Sequence, residues 1–288
     1  MKITKTISFF ILSFIVTFFV IESLSGYLLN WIKRNDQIVS NPRNNNQIDL
    51  YEGYSWKDEY FESLEVNKPP GNSYFPYVMW TTRNRNGLVS QDENGVRASY
   101  IPKKTGKEIY RIYTFGASTM ENIEVPSEYT IASNLVKLLS SSSLNNEYDF
   151  EIFNFGSGAY NNTQEMIRLI YEYQRGFKDY GKPNLVVFFD GANDIFSGVY
   201  LERPGIHDAY DRIRLRYDDI NDFYLLKIKE LLRNKLKTIQ LFDYLRGKKV
   251  QEDFRYIENK DMDYSNYAKK SVAIYKKNME IVKALGSE

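Results

Sequence analysis

The chain has no cysteine and a single histidine, His207. The first absence excludes disulfides, thiolate nucleophiles and Cys-ligated zinc or iron–sulfur centres. The second excludes a His-rich metal site and leaves one imidazole for any Ser–His catalysis within this sequence. Charge of one sign is lacking too: 38 Lys and Arg oppose 37 Asp and Glu, a net +1. No bulk charge therefore recruits nucleic acid or an anionic membrane. Neither the P-loop pattern nor G-x-G-x-x-G occurs, which weighs against a flavodoxin-like nucleotide binder. Carboxylate pairs such as Glu121 with Glu124, or Asp218 with Asp219, read as solvated charge, and nothing faces two carboxylates across a glycosidic bond. What is present is 288 residues, 43% of them hydrophobic and 26% charged, enough for one large domain or two small ones with a buried core.

Lys2 and Lys5 precede an uncharged, mostly apolar run from Thr6 to Ile21. Glu22 interrupts it, a second apolar stretch runs from Ser23 to Ile32, and Lys33 and Arg34 follow. The first run alone is slightly short of the roughly 17–25 residues of a spanning helix. Residues 1–34 are read as an uncleaved signal anchor, a transmembrane segment with its amino terminus inside and the bulk of the chain on the extracytoplasmic side. The alternatives are a signal peptide cut near Ser23-Leu24-Ser25, giving a secreted or periplasmic protein, and a buried helix of a soluble fold. Residues 35–105 are expected to be a linker, rich in Asn up to residue 50, followed by an aromatic-rich elaboration with irregular or short-stranded structure.

From residue 106 the pattern becomes that of an α/β domain. Ile109 to Phe115, Phe150 to Phe155 and Asn184 to Phe189 are short apolar strands. The third is continuously apolar, as in a strand covered on both faces. Ser127 to Leu139 and Thr163 to Tyr173 have helical spacing between them. Strands alternating with helices predict right-handed crossovers and a parallel sheet. Residues 196–222 are expected to form a loop, Phe223 to Leu245 one long amphipathic helix, Gly247 to Asp263 an exposed charged connection, and Tyr264 to Leu285 a last helix.

Ligands of open parallel sheets bind at the carboxyl ends of the strands, near the point where strand order reverses. The three strand ends read FGASTM, NFGSGAYNN and FDGANDIF. Ser118, directly after the first strand, can face the crevice as a nucleophile, or can simply cap the next helix. Gly156 and Gly158 let backbone N–H groups approach a ligand, or form an ordinary βα turn. Asn193 can donate its side-chain amide to a developing oxyanion, or can serve as a turn residue.

Taken in order, the three blocks resemble the SGNH (GDSL-type) hydrolase superfamily. The stretch Glu93 to Arg97 is similar to the lead-in of its membrane-anchored members. The resemblance spans about residues 75–285 and implies a three-layer flavodoxin-like parallel sheet. It implies Ser118 as nucleophile, and an oxyanion hole formed by the N–H groups of Ser118 and Gly158 and the side chain of Asn193. Aligning on Gln164 and Glu165 puts Ala159 in place of the family glycine, and either backbone N–H can serve. The family's D-x-x-H block is not found, and the C-terminal strands are expected to be missing, so that residues 106–288 read as an incomplete domain. His207, followed by Asp208 and Asp211, is the candidate base or a residue lining the cleft. The implied activity is hydrolysis or transfer of an acyl group in ester linkage, with no metal or organic cofactor; the extracytoplasmic location points to a cell-surface glycan or lipid as its carrier. The alternative is an inactive or truncated domain of this type that binds a glycan or a partner.

Overall fold

The computed structural model describes residues 2–39, 50–66, 71–207, 209–218, 220–253 and 263–287. They fall into two compact units. One comprises Met1–Glu52 with Asp211–Met262, and the other Gly53–Tyr210 with Asp263–Glu288.

In the first unit, helix α1 (Lys2–Val39) carries an apolar stretch, Phe9–Ile32, long and apolar enough to cross a membrane. It is the one such helix among the described residues. Notionally one long amphipathic helix, Phe223 to Leu245 is in fact two, and they are introduced with their contacts below. The break falls at Leu236, between Lys235 and Lys237.

The second unit opens with helix α2 (Lys57–Val66) and a two-stranded antiparallel hairpin, β1 (Asn72–Phe75) and β2 (Met79–Thr82). Between the hairpin and the main sheet the chain makes isolated bridges, Arg85 to Gln91, Gln91 to Arg97 and Arg97 to Asn154. The elaboration is thus short-stranded, as expected, with the addition of α2.

Three parallel strands form the main sheet: β3 (Glu108–Phe115), β4 (Tyr148–Asn154) and β5 (Leu185–Phe188), in the order β4-β3-β5. The first strand in sequence is central because each crossover returns to a different side of it. The central strand holds the core: Ile112, Tyr113 and Phe115 are fully buried, with Phe115 stacked between Phe155 and Phe188. The strand whose continuous apolar run read as covered on both faces, β5, lies at the sheet edge and is only partly covered, with Leu185 41% exposed and Val186, Val187 and Phe188 half-buried. A run of apolar residues does not say which neighbours exist.

Around the sheet lie α3 (Ser118–Glu121), α4 (Ile131–Ser140), α5 (Asn162–Gln174), α6 (Ala192–Ile195) and, late in the chain, α10 (Tyr264–Gly286). Helix α5 starts at a capping box: Asn161 accepts from the Gln164 N–H and Gln164 reaches back to the Asn161 N–H. Along α10, Ser271 and Asn278 are buried and Ile274, Tyr275 and Val282 half-buried, one face at helical spacing. Residues 196–222, expected as loop, contain a π turn (Phe196–Tyr200) and helix α7 (Tyr210–Asp218). The Pro and Gly at 204 and 205 that suggested a loop occupy only the short link between them.

Candidate active site

The strand order reverses between β3 and β5, so the crevice of such a sheet lies at their carboxyl ends. The three turns beyond these strand ends are held together by backbone contacts. Phe189 N–H donates to the Phe115 carbonyl at 2.9 Å, and Ser157 N–H donates to the Gly116 carbonyl at 3.1 Å. Two glycines make this possible by having no side chain. A Cβ on Gly116 would lie 2.5 Å from the Phe189 carbonyl oxygen, and one on Gly156 2.4 Å from the Glu121 nitrogen. Sequence reasoning assigned the glycines of the second turn to ligand approach. Gly156 is instead needed where one backbone lies directly against another.

Ser118 is the first residue of α3 and is exposed. The position before it, Ala117, is the N-cap, and no side chain caps the turn, so Ser118 does not spend its hydroxyl as a helix cap. Gly158 is half-buried, and its carbonyl accepts from the Trp80 indole N–H at 3.1 Å. Ala159 is exposed and sits in left-handed backbone at φ 63°, the geometry that a glycine takes without strain. Asn193 is half-buried in α6 and donates through Nδ2 to the Tyr160 carbonyl at 2.7 Å. The amide nitrogen carries two hydrogens, so one remains for a ligand. Its neighbour Asp194 is buried and accepts the Asn162 backbone N–H, at 3.2 Å through Oδ1 and 3.1 Å through Oδ2.

The turns bearing Ser118, Gly158 and Asn193 are therefore neighbours at one sheet edge. His207 is half-buried, with its ring edge-on to Trp80 at 5.4 Å between centroids and 6.5 Å from Tyr210. Through Trp80 it is joined to the Gly158 turn. Asp208 lies outside the described residues, and Asp211 is exposed in the first turn of α7.

One correction concerns Glu121. It is only 4% exposed, not solvated charge, while Glu124 is exposed as expected. Its Oε1 accepts from Thr82 Oγ1 at 2.7 Å and Gln91 Nε2 at 2.8 Å, and its Oε2 lies 3.2 Å from where a Cβ on Gly158 would be. Arg97 balances the charge. Its guanidinium is buried and donates to the carbonyls of Glu121, Ser90 and Val125 at 3.0–3.1 Å, and to Ser127 Oγ. Burial pushes the Arg97 pKa down to about 10, against the pull of Glu121. The solvated reading failed because E-N-I-E has no helical or strand period to mark Glu121 as inward. Of the Asp218 and Asp219 pair, Asp218 is exposed and Asp219 lies outside the described residues.

A second buried acidic group was not foreseen. Glu165, fully buried, lies against Asp190 and Asp194 behind the third turn. Asp190 accepts from Asn162 Nδ2 at 2.9 Å and from the Tyr275 hydroxyl at 2.8 Å. Desolvation, and then Asp190, raise the Glu165 pKa well above its ordinary value, so the Glu165 carboxyl keeps its proton to higher pH. Desolvation likewise moves Asp194 up to about 6. Among the described residues no group of three or more His, Cys, Asp or Glu is arranged to hold a metal.

A doubly wound α/β sheet with a serine turn, a glycine turn and an Asn-Asp turn at one edge is the layout of a three-layer serine hydrolase domain. A family model described as GDSL-like Lipase/Acylhydrolase matches residues 112–282, more than half of the chain, and the chain belongs to that family, within the SGNH superfamily. Membership carries a general ester-hydrolase role and an ester-type substrate. No curated protein matches the chain.

Proposed function

We propose that the chain is a serine ester hydrolase or O-acyltransferase anchored by α1, with its domain on the extracytoplasmic side and an acyl ester of a cell-surface glycan or lipid as substrate. Ser118 Oγ attacks the ester carbonyl and yields its proton to a base. The carbonyl oxygen becomes an oxyanion held by the backbone N–H groups of Ser118 and Gly158, or Ala159, and by the second amide hydrogen of Asn193. The protonated base then returns its proton to the departing alcohol oxygen, leaving an acyl-serine for water or a second alcohol to resolve. His207 is the candidate base.

The observation that carries this reading is the pairing of an exposed, uncapped Ser118 with an Asn193 amide oriented by the Tyr160 carbonyl on an adjacent turn. The test is fluorophosphonate labelling and p-nitrophenyl acetate hydrolysis by the parent chain, Ser118→Ala and His207→Ala. Loss of both signals in both variants completes the site within this chain. Labelling lost in Ser118→Ala but kept in His207→Ala assigns His207 to the cleft wall. Parent labelling no higher than background overturns the hydrolase reading and leaves a domain that binds without turnover.

A further inference from the structure

In the first unit, α1 does not stand alone. Helix α9 (Lys237–Asp253) docks on it, preceded by α8 (Ile220–Lys235). The contact is specific. The Glu22 carboxylate accepts the backbone N–H groups of Lys237 and Thr238, the latter at 3.1 Å, and the Thr238 hydroxyl at 2.7 Å. It thereby satisfies donors that the start of α9 leaves open. The Thr238 hydroxyl also lies 3.2 Å from Ser25 Oγ, the Lys237 side chain lies over Gly26, and Leu29 is buried. The one acidic residue inside the apolar stretch of α1 is thus the residue that receives α9, and the α8–α9 junction sits at its level.

Helix α8 has no buried residue. At 3.6 residues per turn, Ile220, Tyr224, Leu225, Ile228, Leu231 and Leu232 share an arc about 140° wide. All six are exposed, Ile228 at 52% and Leu232 at 45%. Asp222, Lys229, Glu230 and Arg233 occupy the other side, while Asn221 and Lys235 fall within the arc in the first and last turns of the helix. Phe223 and Leu226 also stand outside the arc, Phe223 between the Arg216 and Lys227 cations. An apolar arc of this width opposite charged residues is the composition of a helix that lies in a membrane interface.

We propose that the uncharged run Thr6–Ile21 of α1 crosses the hydrocarbon core, so that Glu22 and the α8–α9 junction stand at its edge, and that α8 lies in the headgroup–acyl boundary there with its apolar arc facing the acyl chains. Three observations favour lipid over a protein as the occupant. The arc is carried by the same compact unit as α1. The apolar side chains of α1 remain exposed along the span, so both surfaces call for the same apolar solvent. Residues 211–253, to the end of α9, hold eleven Lys and Arg against eight Asp and Glu, a small local excess suited to anionic headgroups although the whole chain is near neutral. The inference rests on the reading of α1 as an anchor.

The absence of cysteine makes the test direct, because each introduced thiol is unique in the chain. The full chain is labelled with an environment-sensitive fluorophore at Ile228→Cys, Leu232→Cys, Glu230→Cys or Phe14→Cys. It is then reconstituted in phosphatidylethanolamine–phosphatidylglycerol vesicles brominated near the headgroup end or near the chain ends of the acyl tails. The expected result is that shallow bromine removes roughly half or more of the emission at 228 and 232, while the 230 label stays quenchable by aqueous iodide. Bromine near the chain ends quenches the label at 14. Labels at 228 and 232 as accessible to iodide as that at 230, with the 14 label quenched by lipid, overturn the proposal and leave the anchor standing. Labels at 228 and 232 shielded from iodide yet untouched by either bromolipid overturn it in favour of a protein cover. A label at 14 that no lipid quenches overturns the anchor reading and the proposal with it.

Discussion

Asn193 Nδ2 donates to the Tyr160 carbonyl at 2.7 Å, so the third turn of the site is tied to the second by the same side chain that faces the proposed oxyanion. Asn193→Ala removes both functions. Loss of one oxyanion donor lowers kcat by about 100- to 1,000-fold. Loss of the bond to Tyr160 costs about 1 kcal/mol of stability. Esterase kinetics and urea unfolding on the same preparation separate the two. A variant that loses stability but retains kcat shows that Asn193 only ties the turns.

Arg97 and Glu121 clamp the elaboration before β3 onto the serine turn. Arg97→Met keeps the length of the side chain and removes its charge and donors, leaving the Glu121, Ser90 and Val125 carbonyls without those donors and Arg85 as the remaining cation acting on Glu121. The expected loss is about 3 kcal/mol. The double variant Arg97→Met with Glu121→Gln is expected to recover part of it, since the buried anion that lost one of its cations is then neutral. A double-mutant cycle by urea unfolding checks this, and simple additivity of the two losses would refute the coupling.

The three strand ends were legible in sequence because each joins a β-rich run to small and polar residues, and their order places them on one sheet edge. What the sequence did not show has specific causes. The partial exposure of β5 depends on which elements cover its faces, which a continuous apolar run does not encode. The break at Leu236 carries no Gly or Pro, and the apolar spacing of α8 runs on towards Ile239 and Phe242 as though one helix continued. Glu121 and Glu165 are inward carboxyls whose neighbours are distant in sequence, Thr82 and Gln91 for the first and Asp190 and Asp194 for the second, and no local pattern marks such neighbours. The Asn161 and Gln164 capping box, in contrast, was readable as N-x-x-Q ahead of an apolar run.

Ala159 supplies a test of the second turn. Its φ of 63° is a conformation in which a Cβ is strained by about 1–2 kcal/mol. Ala159→Gly relieves that strain at the cost of a more flexible unfolded chain. The net expectation is a gain of up to about 1 kcal/mol, with ester hydrolysis retained because the backbone N–H is kept. Thermal unfolding decides it: a fall in Tm would mean that the left-handed turn is not the one the folded chain adopts.

The Glu165 proton makes a prediction with a definite sign. The groups facing Glu165 are Asp190 and Asp194 from the third turn and Tyr275 from α10. Its folded pKa lies well above the ordinary 4.5, so the folded chain holds a proton that the unfolded chain releases. Asp194 adds a second, from 3.8 to about 6. Stability from both is complete below the ordinary carboxylate range and is lost as pH rises through the folded values. For Asp194 that window closes near pH 6, whereas for Glu165 the loss continues to higher pH. Glu165→Gln keeps the size and shape of the side chain and removes the titration. Its stability should therefore fall less steeply above pH 6, and at mildly alkaline pH the variant should equal or exceed the parent. Urea unfolding across a pH series reads this directly. Parallel curves for parent and variant above pH 6 would show that Glu165 ionises in the fold at its ordinary pKa.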